Sequence, residues 1–207
     1  MARPPLTIRG LIGLDRSSTP PATMRGQPLH PVTLPNAVGF LRLALIPVFL
    51  ALAFESSDGR SATAALVFAI VGGADYLDGL LARLTGQYSR LGALLDPLVD
   101  RLFVLSGVIV TWHFDLLPHW ALGILAAREV LVLVMTRVAL HRGGEIEISP
   151  IGRWAVWPTM LSLFLAMITS TWIATGLLLL GVGLTLVATV KYARQVFPVW
   201  RAPSTSA

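Results

Sequence analysis

The chain has 207 residues, enough for one domain, and 55% of them are hydrophobic against 13% charged, with a mean hydropathy of +0.72. That balance lies outside the range of ordinary soluble domains and points to an integral membrane protein. The formal net charge is +5, and the absence of cysteine excludes disulfides, thiolate metal sites and cysteine nucleophiles.

Residues 1–32 differ in composition from the rest of the chain, with six prolines from Pro4 to Pro31, the arginines Arg3, Arg9, Arg16 and Arg25, and a Ser/Thr cluster at 17–19. They read as a disordered basic tail. Its apolar piece, Leu6 to Leu14, is broken by Arg9 and Gly10 and is too short for the apolar region of a signal peptide, so none is expected. The arginines either rest on anionic lipid headgroups or only fix topology, and no nucleic-acid partner is expected.

From Thr33 onward there are six hydrophobic segments, at about 35–54, 62–82, 93–112, 119–140, 154–172 and 174–196. Each approaches the ~20 residues that a helix needs to cross the hydrocarbon of a bilayer. The expected fold is therefore an all-α bundle of six transmembrane helices over 33–197, with a short tail at 198–207; the weakest break, at Ser170-Thr171, leaves five spans as the alternative. With six spans, Arg83, Arg90, Arg142, Arg153, Lys191, Arg194, Arg201 and the tail arginines share one side, and Arg60 falls in an opposite loop. The positive-inside rule then places both termini in the cytoplasm; the plasma membrane is the expected location.

The first segment opens Thr33-Leu-Pro35-Asn36, a turn or cap, and carries Arg42 about one and a half turns in, where it must snorkel or find an acid. The second and third segments carry Asp75, Asp78, Asp96 and Asp100. An ionised acid at the bilayer centre costs roughly 2.5–3.5 kcal/mol or more, so each needs a partner or a chemical role. Asp75, Asp78, Gly79 and Ala82 fall at i, i+3, i+4 and i+7 of one helical stripe, and Gly92, Asp96 and Asp100 step by four along the next. Two such stripes joined by the loop 84–90 can face each other. Carboxylates at that density repel unless a cation sits between them, and oxygen-only ligands suit a hard divalent ion. Pairs of such ions serve phosphoryl chemistry. Gly79 and Gly92 remove side chains from these stripes and leave room for a ligand to approach the backbone.

Written D-x2-D-G-x2-A-R-x8-G-x3-D-x3-D, this stretch resembles the signature of the CDP-alcohol phosphatidyltransferase family at every fixed position: Asp75, Asp78, Gly79, Ala82, Arg83, Gly92, Asp96 and Asp100. A chance match is on the order of 10⁻⁸ at ordinary residue frequencies. The opening around Pro35-Asn36 and Arg42 is similar to the phosphatidylglycerophosphate synthase and cardiolipin synthase branches, with Gly39 where those often carry Thr.

The resemblance implies transfer of a phosphatidyl group from CDP-diacylglycerol to an alcohol, with release of CMP. It makes Asp75, Asp78, Asp96 and Asp100 ligands of two Mg²⁺ or Mn²⁺ ions, Asp100 also the general base, and Asn36, Gly79, Arg83 and Ser89 contacts to the CDP-lipid. Membrane lipids and a homodimer complete the implied partners.

The acceptor is read from the remaining arginines. Arg128 beside Glu129 is either a structural pair or, with Arg153, the holder of an acceptor phosphate. The run Ala127-Arg128-Glu129-Val130 resembles phosphatidylglycerophosphate synthases and favours glycerol 3-phosphate; Ile151-Gly152-Arg153 departs from both branches, where a lysine is usual. Phosphatidylglycerol, giving cardiolipin, and inositol phosphate are the alternative acceptors. A different class, an ion-coupled transporter, accounts for intramembrane acids but leaves Arg83 and the glycines without a role. His113, His119 and His141 are dispersed and no metal role is expected of them, while tryptophans near segment ends read as interfacial anchors.

Overall fold

A computed structural model describes residues 33–85, 89–141 and 150–201; within its helices the side chains of Asp78, Arg83, Arg137 and Arg153 lie outside that description. The expected tail at 1–32 lies outside the described residues. Among the described residues six helices succeed one another: α1 (Leu34–Phe54), α2 (Ala62–Thr85), α3 (Arg90–His113), α4 (His119–His141), α5 (Pro150–Ala166) and α6 (Trp172–Arg201). Each expected hydrophobic segment has thus become one helix.

Local chemistry sets several of the starts. Thr33 is the N-cap of α1, its hydroxyl accepting from the Asn36 amide at 3.3 Å, so Pro35 and Asn36 already belong to the first turn. Ser61 accepts from the Ala64 amide at 3.2 Å before α2, and Ser89 from the Gly92 amide at 2.9 Å before α3. The segments expected at 154–172 and 174–196 separate earlier than their composition suggests: α5 stops at Ala166, and Trp172 opens α6 rather than closing its predecessor. Thr171 marks the restart, its hydroxyl accepting from the Ile173 amide at 3.3 Å. At its far end α6 runs on to Arg201, into the stretch expected as a tail.

The buried residues of α1, Asn36, Gly39, Arg42, Ile46, Phe49 and Ala53, fall three and four apart and form one stripe. That stripe packs on both α2 and α3, which touch each other far less. Phe49, Phe68 and Phe103 tie the three helices together, with ring centroids 5.2 Å apart for the first pair and 4.3 Å for the second. The other half is the α5–α6 pair, which meets α2 and α3 directly through α5 and meets α4 through α6. There Thr159 leaves no room for a side chain at Gly181: a Cβ would lie 3.0 Å from the Thr159 backbone nitrogen.

Two loops meet at one end of the bundle. Gly59 has φ +72°, and a Cβ there would lie 2.5 Å from Phe114 Cγ. Glycine is required on both counts. The α1–α2 and α3–α4 loops therefore share an end, as alternating helices demand.

α1 and residues 172–190 of α6 are long and apolar enough to cross a membrane, and the apolar parts of α2 and α5 are shorter. Charged residues interrupt the others: Asp75 and Asp78 in α2, Asp96, Asp100 and Arg101 in α3, Arg128 and Glu129 in α4. Large apolar side chains such as Leu66, Ile70, Ile109, Leu131, Leu180 and Val190 are nevertheless exposed on the outer surface of the bundle. A surface of that kind belongs against lipid.

Candidate active site

The acids of α2 and α3 are brought together by α1. Arg42 sits on the buried stripe of α1 with 1% of its side chain exposed, while Asp75 and Asp100 are 51% and 43% exposed. Its Nη1 lies 2.9 Å from Asp75 Oδ1 and its Nη2 donates to Asp100 Oδ1 at 2.8 Å. Its Nε donates to the carbonyl of Val71, one turn before Asp75, at 3.2 Å. A buried guanidinium thus lies behind the site and two carboxylates stand in front of it. The arginine expected to find an acid has found two.

Asp96 lies one turn before Asp100, with Pro97 between them removing the amide that would bond the carbonyl of residue 93. Gly39 of α1 lets the two backbones approach here: a Cβ would meet Leu95 Cδ2 at 3.3 Å and Asp96 Oδ1 at 3.8 Å. Asp78, Gly79 and Arg83 lie on the last turns of α2, and the side chains of Asp78 and Arg83 are outside the described residues.

Asn36 and Ser89, expected at the CDP-lipid, are buried and bonded to each other, Ser89 Oγ donating to Asn36 Oδ1 at 2.8 Å. Gly92 has a different use from the one its spacing suggests. A Cβ there would lie 2.7 Å from Asn36 Oδ1, so the space it leaves is filled by the Asn36 side chain rather than kept for a ligand.

A second polar cluster lies deeper. Arg128 is paired with Glu129 and donates from Nε to Thr189 Oγ1 of α6 at 3.1 Å, and Arg101 Nη1 donates to Glu129 Oε2 at 2.6 Å. The pairing of Arg128 with Glu129 is therefore present. Two arginines share one glutamate, however, which leaves these three side chains with one positive charge in excess. Arg153 lies in α5, its side chain outside the described residues.

Among the described residues no group of three or more histidine, cysteine or acidic side chains forms a metal cage. The donor set itself fits a hard divalent cation: every acid supplies oxygen, two come from each of α2 and α3, and the two described as bridged are half-exposed. His119 contacts Asp115 at 2.9 Å and stacks on Trp112 at the Arg60 end of the bundle, away from these acids.

Acids on two helices of a bundle with an apolar outer surface define a class: a membrane protein with a polar site sunk among its helices. More narrowly, the chain belongs to the CDP-alcohol phosphatidyltransferase family, whose model matches residues 32–189. It is 38% identical to the cardiolipin synthase (CMP-forming) of Streptomyces coelicolor, over 83% of this chain and 86% of that one. It is 30% identical to the CDP-diacylglycerol–glycerol-3-phosphate 3-phosphatidyltransferase of Pseudomonas fluorescens, over 81% and 91%. A putative cardiolipin synthase of Mycobacterium tuberculosis is 36% identical over 63% of this chain and 62% of its own length.

Proposed function

We propose that the chain transfers a phosphatidyl group from CDP-diacylglycerol to the hydroxyl of a glycerol-phosphate acceptor, releasing CMP. The observation that carries this reading is the bridge from Asp75 to Asp100 through buried Arg42, with Asp96 one turn away, inside the family's acidic motif. Asp75, Asp78, Asp96 and Asp100 would hold two divalent ions, Mg²⁺ or Mn²⁺, which when bound neutralise the diphosphate and the departing CMP.

The chain's own groups do the rest. Asp100 accepts the proton of the acceptor hydroxyl as its oxygen bonds to the phosphatidyl phosphorus and the bond from that phosphorus to CMP breaks. Arg83 offers the diphosphate a fork of donors. Gly79 keeps the backbone open beside it, and Asn36 with Ser89 shapes the adjoining end of the site. The excess positive charge of the Arg101–Glu129–Arg128 cluster, with Arg153, attracts the acceptor's phosphate.

Glycerol 3-phosphate is the first acceptor, on the Arg128-Glu129 element and the likeness to glycerol-3-phosphate phosphatidyltransferases. Phosphatidylglycerol is the second, favoured by the higher identity to a cardiolipin synthase over most of both chains. Both bring a phosphate and a glycerol hydroxyl.

The domain spans 33–197 between an N-terminal tail at 1–32 and a short C-terminal one, with six transmembrane helices, cytoplasmic termini and a cytoplasmic site in the plasma membrane. The shared end of the Gly59 and Phe114 loops supports this, because Arg60 then lies opposite the end where Asn36 meets Ser89.

The test is CMP release from CDP-diacylglycerol by purified protein with Mg²⁺ or Mn²⁺, in parallel with glycerol 3-phosphate, phosphatidylglycerol and inositol phosphate. Metal-dependent release with one of the first two names the acceptor. No release with any, from folded protein, refutes the reading.

A further inference from the structure

Arg42 is costly where it stands. A cation with 1% of its side chain exposed keeps its charge only if its partners replace water. Among its contacts, Nε serves the Val71 carbonyl, Nη1 Asp75 and Nη2 Asp100. A counter-charge alone would not need this division. The acids belong to different helices that touch little; their carboxylates reach each other as well as the guanidinium, and the planar group engages both at once through its two ends. Each carboxylate gives Oδ1 to the guanidinium and is about half-exposed.

We propose that Arg42 is a positioning residue for the divalent ions: its fork fixes Asp75 and Asp100 in spacing and orientation, so that their outer oxygens are already arranged when the ions bind. This rests on the metal-dependent reading of the site. Charge and geometry oppose each other here, which makes the two separable. By charge alone, a positive group beside the ligands repels Mn²⁺, and removing it tightens binding. By orientation, removing the fork weakens binding, and groups that orient metal ligands typically change metal affinity by about 10–100-fold.

The experiment titrates Mn²⁺ into detergent-purified wild type, Arg42→Lys, Arg42→Gln and Asp96→Asn, reading free Mn²⁺ by electron paramagnetic resonance, with metal-free melting curves to establish folding. The expected result is binding by wild type, loss in Asp96→Asn, and about 10-fold or greater weakening in Arg42→Lys, which keeps the charge without the fork. Arg42→Gln weakens as well, against the direction that charge predicts. In turnover, Arg42→Lys lowers kcat and leaves the KM for CDP-diacylglycerol near that of wild type. Wild-type or tighter Mn²⁺ binding in either folded Arg42 variant, with Asp96→Asn still defective, overturns the role of Arg42 and leaves the metal reading standing. Absence of Mn²⁺ binding by wild type overturns both.

Discussion

Ser89 donates a hydrogen bond to Asn36 Oδ1 at 2.8 Å, fastening the start of α3 to the first turn of α1. The same hydroxyl caps α3 by accepting from the Gly92 amide. Gly92 belongs to this arrangement, since a Cβ there would lie 2.7 Å from Asn36 Oδ1 and 3.2 Å from Ser89 Oγ. Gly92→Ala should therefore destabilise the protein by about 1–3 kcal/mol, as overpacking does. Adding Asn36→Ala should recover part of that loss, because the two sites are in contact. Melting curves in detergent decide; an unchanged midpoint for Gly92→Ala would show that the contact is slack.

Asp100→Asn should still bind CDP-diacylglycerol but lose about 10²–10⁴-fold in turnover, the usual contribution of a general base. Asp75→Ala, Asp78→Ala and Asp96→Ala should abolish metal-dependent CMP release while the protein remains inserted. Near-normal turnover by Asp100→Asn would remove it from the role of base.

Glu129 has 4% of its side chain exposed and faces Arg101 and Arg128. Glu129→Ala leaves a buried positive charge without its partner and should cost about 3–5 kcal/mol, seen as a lower unfolding midpoint. Arg128→Ala and Arg153→Ala should raise the KM for the acceptor and leave that for CDP-diacylglycerol unchanged. An unchanged acceptor KM in both would place the acceptor phosphate elsewhere.

The chain has no cysteine, so one introduced thiol reports one position. In intact cells a membrane-impermeant maleimide should label Ser57→Cys, in the α1–α2 loop, and should reach Gln87→Cys only after lysis. The reverse pattern would invert the proposed orientation.

The sequence by itself determined the six helices to within a few residues for most ends, because apolar length, caps and proline are local properties. It also determined the acidic motif, whose spacing places the acids on helical stripes whatever the neighbours are. What it held less openly was depth. Arg42 lies eight residues from the start of α1, Asp75 ten from the end of α2 and Asp100 ten from the start of α3. At about 1.5 Å per residue those positions lie at nearly one level in alternating helices, so the arginine's partners were legible in principle. Only the tertiary structure decided that α1 stands between the acid-bearing helices, that Gly92 makes room for Asn36, and that Thr189 of α6 meets Arg128. Helices that are apolar nearly all round carry little record of which face meets which neighbour, because lipid and protein interior are equally apolar. Close packing and a few buried polar pairs settle that choice between residues far apart in the chain.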